Sequence, residues 1–262
     1  MNRKQKYRIT VSVADVMESA TPGDLIGRRE SQLLYGEKFI VERFESGLAY
    51  GRCAHDAYEG YVNPCHLTSI TKPATHFVDN TLTHVYPQPD LHSRPLQTLS
   101  FMSRLIVVPK QQVNNFSYIE DKGWVPTSHI KPVSDLKQRI DHVSQALRFA
   151  ERPYGYAGRH NNGIDCSGLV QISLLRAGFK HIPRDADLQE KSHKVGKVIP
   201  VAQIDRGDVV FFKGHVGIML DPKNVISATE QFMKVAIEPV QDVINRLGPI
   251  TTARRPAPLP RP

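Results

Sequence analysis

The chain has 262 residues, of which 40% are hydrophobic and 23% charged, and a formal net charge of +8. This length allows one to three compact units, and the composition is typical of a soluble globular protein. The longest apolar runs, such as Val209–Phe212, are too short to span a bilayer. We therefore expect no membrane-spanning helix and no membrane partner.

The positive charge is scattered along the chain. Lysine and arginine do not interleave with aromatic residues as they do in nucleic-acid-binding surfaces, so we expect no nucleic-acid partner. We interpret the excess charge mainly as a solvated surface, although it also favours anionic substrates. The three cysteines, Cys53, Cys65 and Cys166, are an odd number without metal-ligand spacing. This predicts no disulfide framework, no metal site and no cofactor.

The N-terminal segment, residues 1–7, is basic, but no apolar run follows it. A secretory signal needs such a run, and Asp15 interrupts the nearest candidate, residues 11–16. We therefore expect a cytoplasmic protein and interpret residues 11–16 as a strand. A leader upstream of Met1 would change the expected location.

A weak internal repeat organises the first half of the chain. Residues 60–67 match residues 123–130, and residues 22–25 match residues 89–91. Short alternating segments are separated by turn residues, which predicts small β-barrels rather than helices. On this basis residues 8–130 resemble two bacterial SH3-like domains. Because Pro73 and Pro132 mark the joints, the predicted domains are 1–72, 73–133 and 134–262.

The third predicted domain has a different periodicity. Apolar residues recur at helical spacing from 136 to 150, with Ser134 as the expected cap, and the apolar run 169–175 ends at Gly178. Strand-like segments then occupy residues 208–212, 215–220, 224–228 and 235–239. Helices followed by an antiparallel sheet predict an α+β domain. The predicted fold class is α+β, with two small β-barrels before this domain.

Cys166 lies where a loop becomes a helix that is apolar almost all round, in the tract Asp165-Cys166-Ser167-Gly168. The dipole and the unpaired N–H groups of such a helix end favour the nucleophilic thiolate and can hold a developing oxyanion. Taken alone, a cysteine before an apolar helix is more often a buried small residue. That is how we interpret Cys53 and Cys65.

His215 is the candidate base for this thiol. Residues 207–218 predict two strands joined by Lys213 and Gly214, with His215 opening the second strand. A histidine on a sheet packed against the cysteine helix can accept the thiol proton and return it to a leaving amine. An isolated histidine would be interpreted as structural, but the flanking glycines and the partner cysteine favour the catalytic role.

Four tracts carry a resemblance to a known family: residues 153–158, 165–170, 207–212 and 214–218. Together they resemble the NlpC-type cell-wall cysteine peptidases, which have a papain-like fold in circularly rearranged order. The resemblance implies Cys166 as nucleophile and His215 as base. It also implies a third polar residue, usually histidine, about twelve positions after the base, and here that position is Ser227.

The domain order resembles the branch of this family that recycles cell-wall peptides. That branch cleaves between γ-D-glutamate and a diamino acid and prefers a free N-terminal L-alanine, as in L-Ala-γ-D-Glu-meso-diaminopimelate. The resemblance implies that Asp165 is the counter-ion of the alanine ammonium and that Ser167 adds a hydrogen bond. It further implies Tyr154 beside the nucleophile and Tyr58 at the far end of the cleft, with Glu30 a weaker candidate there.

The binding residues have structural alternatives. Asp165 and Ser167 can simply cap the helix, and Tyr154 and Tyr58 can be core or interface aromatics. The polar residues 184–187 and Gln189 can border the cleft, but surface salt pairs are the favoured interpretation for most of them.

Serine at the third position leaves the level of activity open. Ser227 is shorter than histidine and can orient His215 directly or through water, or can leave it poorly fixed. A second hypothesis is therefore a weakly active or non-catalytic protein that binds cell-wall peptides. A third is an exported enzyme that remodels the intact wall.

Overall fold

The computed structural model describes residues 5–19, 28–69 and 72–257. The chain divides into two compact units, Met1–Asp135 and Leu136–Pro262. Residues 1–4, residues 22–25 of the predicted repeat and the proline-rich end after residue 257 lie outside the described residues. Within the described ranges, no helix combines the length and apolar character needed to cross a membrane.

Unit 1 begins with a seven-stranded antiparallel sheet around its own apolar core. In sheet order β3-β2-β6-β5-β4-β1-β7, alternate residues such as Ile9, Phe39 and Val62 point into the core. The strands are β1 (Gln5–Ile9), β2 (Val13–Met17), β3 (Arg29–Leu34), β4 (Lys38–Glu45), β5 (Leu48–Cys53), β6 (Glu59–Val62) and β7 (Leu67–Ser69).

The rest of unit 1 forms three small sheets around a second core that includes Leu99 and Val125. Their strands are β8 (His76–Val78), β9 (Leu82–Val85), β10 (Gln97–Ser100), β11 (Arg104–Leu105), β12 (Val107–Val113), β13 (Phe116–Ile119), β14 (Gly123–Pro126) and β15 (Ile130–Pro132). Both copies of the sequence repeat have a strand, a 3-10 turn and a further strand, with the turns at Pro64–His66 and Thr127–His129. The predicted boundary after residue 72 falls inside unit 1 and stays a prediction.

Unit 2 combines four helices with a six-stranded antiparallel sheet of order β18-β23-β19-β20-β21-β22. Its helices are α1 (His142–Leu147), α2 (Cys166–Arg176), α3 (Ala186–Lys191) and α4 (Val240–Leu247). Its strands are β16 (Arg159–His160), β17 (Gly163–Ile164), β18 (Lys197–Ile199), β19 (Val209–Phe212), β20 (His215–Met219), β21 (Asn224–Thr229), β22 (Lys234–Pro239) and β23 (Thr252–Arg255). The α+β class is confirmed, and the four predicted strands lie within one residue of their observed bounds.

The predicted start of the first helix of this domain is wrong. A 3-10 turn covers Val133–Lys137, and α1 begins only at His142. The cap is Asp141, whose carboxylate accepts hydrogen bonds from the N–H groups of Val143 (3.1 Å) and Ser144 (3.3 Å). A carboxylate that satisfies these orphan donors sets the start of the helix more strongly than apolar spacing does.

Candidate active site

The sulfur of Cys166 lies against the start of strand β20. Cys166 is the first residue of α2, and the backbone N–H groups of Ser167 and Val216 both hydrogen-bond to its sulfur. Val216 directly follows His215, and neighbouring Cα atoms are about 3.8 Å apart. This backbone contact between the helix and the sheet lies next to His215, and the pairing of the two side chains stays a prediction.

Burial opposes a charge on either residue of the predicted pair. Burial, and then the negative charge of Asp165, raise the pKa of Cys166 to about 12, against the opposing pull of its two N–H partners. Burial, and then the positive charge of Arg246, lower the pKa of His215 to about 4. The N–H groups at the helix end lower the pKa of the thiol, and desolvation of the sulfur acts in the opposite direction. The expectation that the helix end favours the thiolate stays a prediction.

Asp165 makes a buried ion pair with Arg184. The two guanidinium nitrogens of Arg184 donate to the two carboxylate oxygens at 3.0 and 2.6 Å. The same carboxylate caps α2 by accepting from the N–H of Gly168 at 2.7 Å, and Ser167 Oγ donates to it at 3.3 Å. The capping role is thus present, and the carboxylate already has a cation beside it. Its role as counter-ion of a substrate ammonium stays a prediction.

Arg184 and Gln189 are the residues that the sequence interpretation misplaced. Surface salt pairing was expected for most of this stretch, but Arg184 is 2% exposed and Gln189 is fully buried. Gln189 donates to the backbone carbonyl of Ser167 at 2.9 Å, so it braces the start of α2. The surface interpretation fits Asp187, whose exposed carboxylate lies 3.6 Å from Lys191. No local pattern distinguishes a buried arginine from these exposed neighbours.

Tyr154 lies in the same neighbourhood. Its backbone N–H donates to the carbonyl of Met233 at 2.9 Å, and a parallel bridge joins it to Ile164, the residue before Asp165. Burial and then the charges of Cys166 and Asp165 raise the pKa of its hydroxyl well above the usual range. The exposed carboxylate of Glu230, which the sequence interpretation missed, acts on it in the same direction.

Close backbone contacts hold the loop before Cys166 against α2. A Cβ atom at Gly168 would lie 2.4 Å from the carbonyl oxygen of Gly158, and one at Gly158 would lie 2.2 Å from that of Gly163. Both distances are below any real Cβ contact. Glycine is therefore required where the loop crosses the first turn of the nucleophile helix.

Ser227 lies on the His215 side of the sheet but does not bond to its ring. The residue is on β21 and fully buried, and a Cβ atom at Gly217, two residues after His215, would lie 3.3 Å from Ser227 Cβ. Among the described residues, the Ser227 hydroxyl has no hydrogen-bond partner. A direct hydrogen bond from Ser227 that orients His215 is therefore not made in this structure.

The sequence interpretation also missed a second ion pair, which lies on the His215 side of the sheet. Arg246 of α4 donates through two nitrogens to Glu238 of β22, both at 3.0 Å, and Glu238 is 6% exposed. The register pairs Glu238 with Val225, two residues from Ser227 on the same face of β21. The positive charge of Arg246 is, after burial, the second cause that lowers the pKa of His215.

The two candidates in unit 1 make local contacts. The ring of Tyr58 packs against the first core, and its N–H donates to Asp56 at 3.0 Å. Glu30 forms an ion pair with Arg28 at 2.7 Å. A role of either residue in closing a cleft stays a prediction.

Two family models and several known proteins match parts of this chain. Residues 151–246 match the NlpC/P60 family, and residues 26–67 match the bacterial dipeptidyl-peptidase SH3 domain, so the comparison identifies one SH3 domain of the two expected. Dipeptidyl-peptidase 6 of Lysinibacillus sphaericus is 28% identical over 75% of this chain and 79% of its own length. The gamma-D-glutamyl-L-lysine dipeptidyl-peptidase of Bacillus subtilis is 28% identical over 80% and 77%.

The fold has a solved counterpart over almost its whole length. The crystal structure of an NlpC/P60 family protein from Bacillus cereus superposes with a TM-score of 0.81 and 20% identity, covering 97% of this chain and all of that one. This similarity concerns the fold, while the family matches concern the sequence of each domain. The chain carries an NlpC/P60 cysteine peptidase domain preceded by a bacterial SH3 domain.

Proposed function

We propose that the chain is an endopeptidase that hydrolyses the γ-D-glutamyl–diamino acid bond of peptidoglycan-derived peptides with a free N-terminal L-alanine. L-Ala-γ-D-Glu-meso-diaminopimelate is the reference substrate. The observation that carries the proposal is the contact of the Cys166 sulfur with the N–H of Val216, beside His215. The names of the two curated relatives, a dipeptidyl-peptidase and a γ-D-glutamyl-L-lysine dipeptidyl-peptidase, support the bond type.

The proposed reaction starts from the neutral pair. The imidazole of His215 accepts the proton of the Cys166 thiol as the sulfur forms a bond to the γ-carbonyl carbon. The carbon–nitrogen bond then breaks, the imidazolium gives its proton to the leaving amine, and a thioester remains. Water attacks this thioester with His215 again as base, which releases the dipeptide acid and restores the thiol. The N–H groups at the start of α2 are suited to hold the oxyanion.

Selection of the free N-terminus is proposed to use Asp165, Ser167 and Tyr154, with Tyr58 at the far end. Asp165, Ser167 and Tyr154 lie near the proposed nucleophile, which supports their assignment to substrate binding. Because Arg184 already balances the charge of Asp165, we expect a smaller preference for an ammonium group than an unpaired carboxylate would give. The proposed setting is recycling of wall peptides in the cytoplasm, which cell fractionation with a tagged chain tests.

The direct test is incubation of the full chain with L-Ala-γ-D-Glu-meso-diaminopimelate, followed by mass spectrometry. Release of L-Ala-γ-D-Glu and the free diamino acid is expected, with none from Cys166→Ala. The N-acetylated tripeptide should turn over more slowly. Equal turnover of both peptides contradicts the free-amine preference, and no release at all contradicts the proposed reaction.

A second candidate function is binding of cell-wall peptides without turnover. It is favoured by the Ser227 hydroxyl, which makes no bond to the ring of His215 among the described residues. Calorimetric titration of the tripeptide into the wild type separates the two functions. Binding without release, together with normal alkylation of Cys166 by iodoacetamide, supports the binding protein and contradicts the enzyme.

A further inference from the structure

In one cavity of unit 2, the lysine, arginine, aspartate and glutamate residues of the wall are all positively charged. The cavity has a volume of about 1290 Å³, and among its lining residues seven are lysine or arginine and none is Asp or Glu within the described ranges. Phe179, just beyond the end of α2, is part of its wall, whereas Cys166 begins that helix. A helix of this length spans about 16 Å, so the cavity lies away from the nucleophile.

Two of the seven cations are already satisfied. Arg255 forms an ion pair with Asp208 at 2.7 Å, and Arg254 donates to the backbone carbonyls of Glu190 and Gly196. The other five form no ion pair with a carboxylate in the part of the chain that the structure describes: Lys137, Arg139, Lys180, Lys194 and Lys197. Five like charges around one cavity repel each other unless an anion lies among them.

Arg139 is held in place but lacks an acceptor. Its guanidinium carbon lies 3.5 Å from the centre of the Phe179 ring, which fixes the plane of the donors. Its Nη1 atom is buried and has no hydrogen-bond partner among the described residues. An unmade hydrogen bond from a buried charged donor costs about 1–3 kcal/mol. Because that nitrogen is closed off from solvent, Arg139 is counted for the cavity through its positive charge and not through this hydrogen bond.

We propose that this cavity binds a phosphate-bearing anion with several negative charges. A planar arginine fork and clustered lysine ammonium groups are the donors that suit phosphate oxygens. A single carboxylate would balance only one of five cations, whereas linked phosphates balance several. Phe179 and Val198 add apolar wall for the remainder of the ligand.

The test is calorimetric titration of the full chain with inorganic tripolyphosphate, pyrophosphate and monophosphate. Affinity should rise with the number of phosphates and fall with added salt, because exposed charges are screened. Lys194→Glu with Lys197→Glu should weaken tripolyphosphate binding by roughly tenfold or more. The control, Lys110→Glu with Lys223→Glu, changes the net charge equally at exposed lysines that do not line the cavity. It should leave the affinity within a factor of about two.

Arg139→Gln provides a second variant that keeps the lysines. It should weaken binding less than the combined Lys194→Glu and Lys197→Glu substitutions do. Thermal unfolding verifies that each variant is folded. A poly(glycerol phosphate) competitor distinguishes a polymer from a free phosphate compound as the source, and displacement in either direction supports the proposal. Equal weakening by cavity and control variants, or binding of poly-glutamate with no binding of any phosphate compound, overturns it. None of these readouts depends on peptide hydrolysis.

Discussion

The two residues of the proposed catalytic pair have very different surroundings. Around Cys166, Asp165 and Arg184 form a closed network in which each carboxylate oxygen has a partner, and Gln189 braces the backbone of Ser167. Around His215, the candidate orienting group is Ser227, whose hydroxyl has no partner among the described residues. The difference teaches that this site fixes its nucleophile more firmly than its base.

The largest expected effect is on the nucleophile itself. Cys166→Ala should lower kcat/KM for the tripeptide by at least about 1,000-fold, because no other thiol can form the acyl intermediate. Urea unfolding should change by less than about 1 kcal/mol, since alanine keeps the Cβ and the start of α2. Cys65→Ala, at an exposed thiol in unit 1, is the control. Comparable loss in both variants would contradict the assignment.

The second-largest effect is expected from breaking the closed network of Asp165 and Arg184. Arg184→Met should destabilise the fold by about 3–5 kcal/mol, because it leaves the Asp165 carboxylate buried without its cation. The free energy of unfolding in urea measures this loss. Asp187→Asn removes an exposed pair and should cost less than about 0.5 kcal/mol. If Arg184→Met behaves like that control, the buried pair does not stabilise the nucleophile helix.

The base should make stability depend on pH. The unfolded imidazole takes up a proton below about pH 6.5, whereas the native ring does so only near its pKa of about 4. Native stability therefore falls as the pH drops from 6.5 to 4, by at most about 3 kcal/mol from this group.

His215→Gln should remove that part of the pH slope in urea unfolding, and His193→Gln, at an exposed ring, should retain it. In the wild type, the hydrolysis rate should also fall at acid pH, with a midpoint near pH 4. An unchanged slope in His215→Gln would show that the native ring is not held neutral.

The smallest effect concerns the third position. Ser227→Ala should stabilise the fold by about 1 kcal/mol, because it removes a buried hydroxyl that makes no hydrogen bond, and should leave kcat/KM within about threefold. Ser173→Ala, in α2, removes another buried hydroxyl without a described partner and is the matched control for stability. A tenfold fall in kcat/KM for Ser227→Ala alone would show that this hydroxyl does orient His215.

The sequence predicted the parts of the site that depend on local pattern. The apolar run after Cys166 predicted α2, and alternation around Lys213 and Gly214 predicted the β19–β20 hairpin that presents His215. The start of α1 was missed because a carboxylate at Asp141, rather than Ser134, supplies the cap. Arg184 was missed because its partner is 19 residues away, and burial of an arginine is decided by that long-range pair. The desolvation that raises the pKa of the thiol could not be predicted, because it depends on packing that spacing does not show.

The glycine contacts before the nucleophile have a consequence for how this region tolerates substitution. Where side chains pack together, a larger residue is accommodated by a change of rotamer or a small shift of a flexible neighbour. A Cβ atom at Gly158 or Gly168 would instead contact a main-chain carbonyl oxygen. A peptide group cannot move aside by changing its rotamer. Even a methyl group at these positions must push the loop away from the helix. We therefore expect Gly158 and Gly168, which never touch substrate, to tolerate substitution as poorly as Cys166 does.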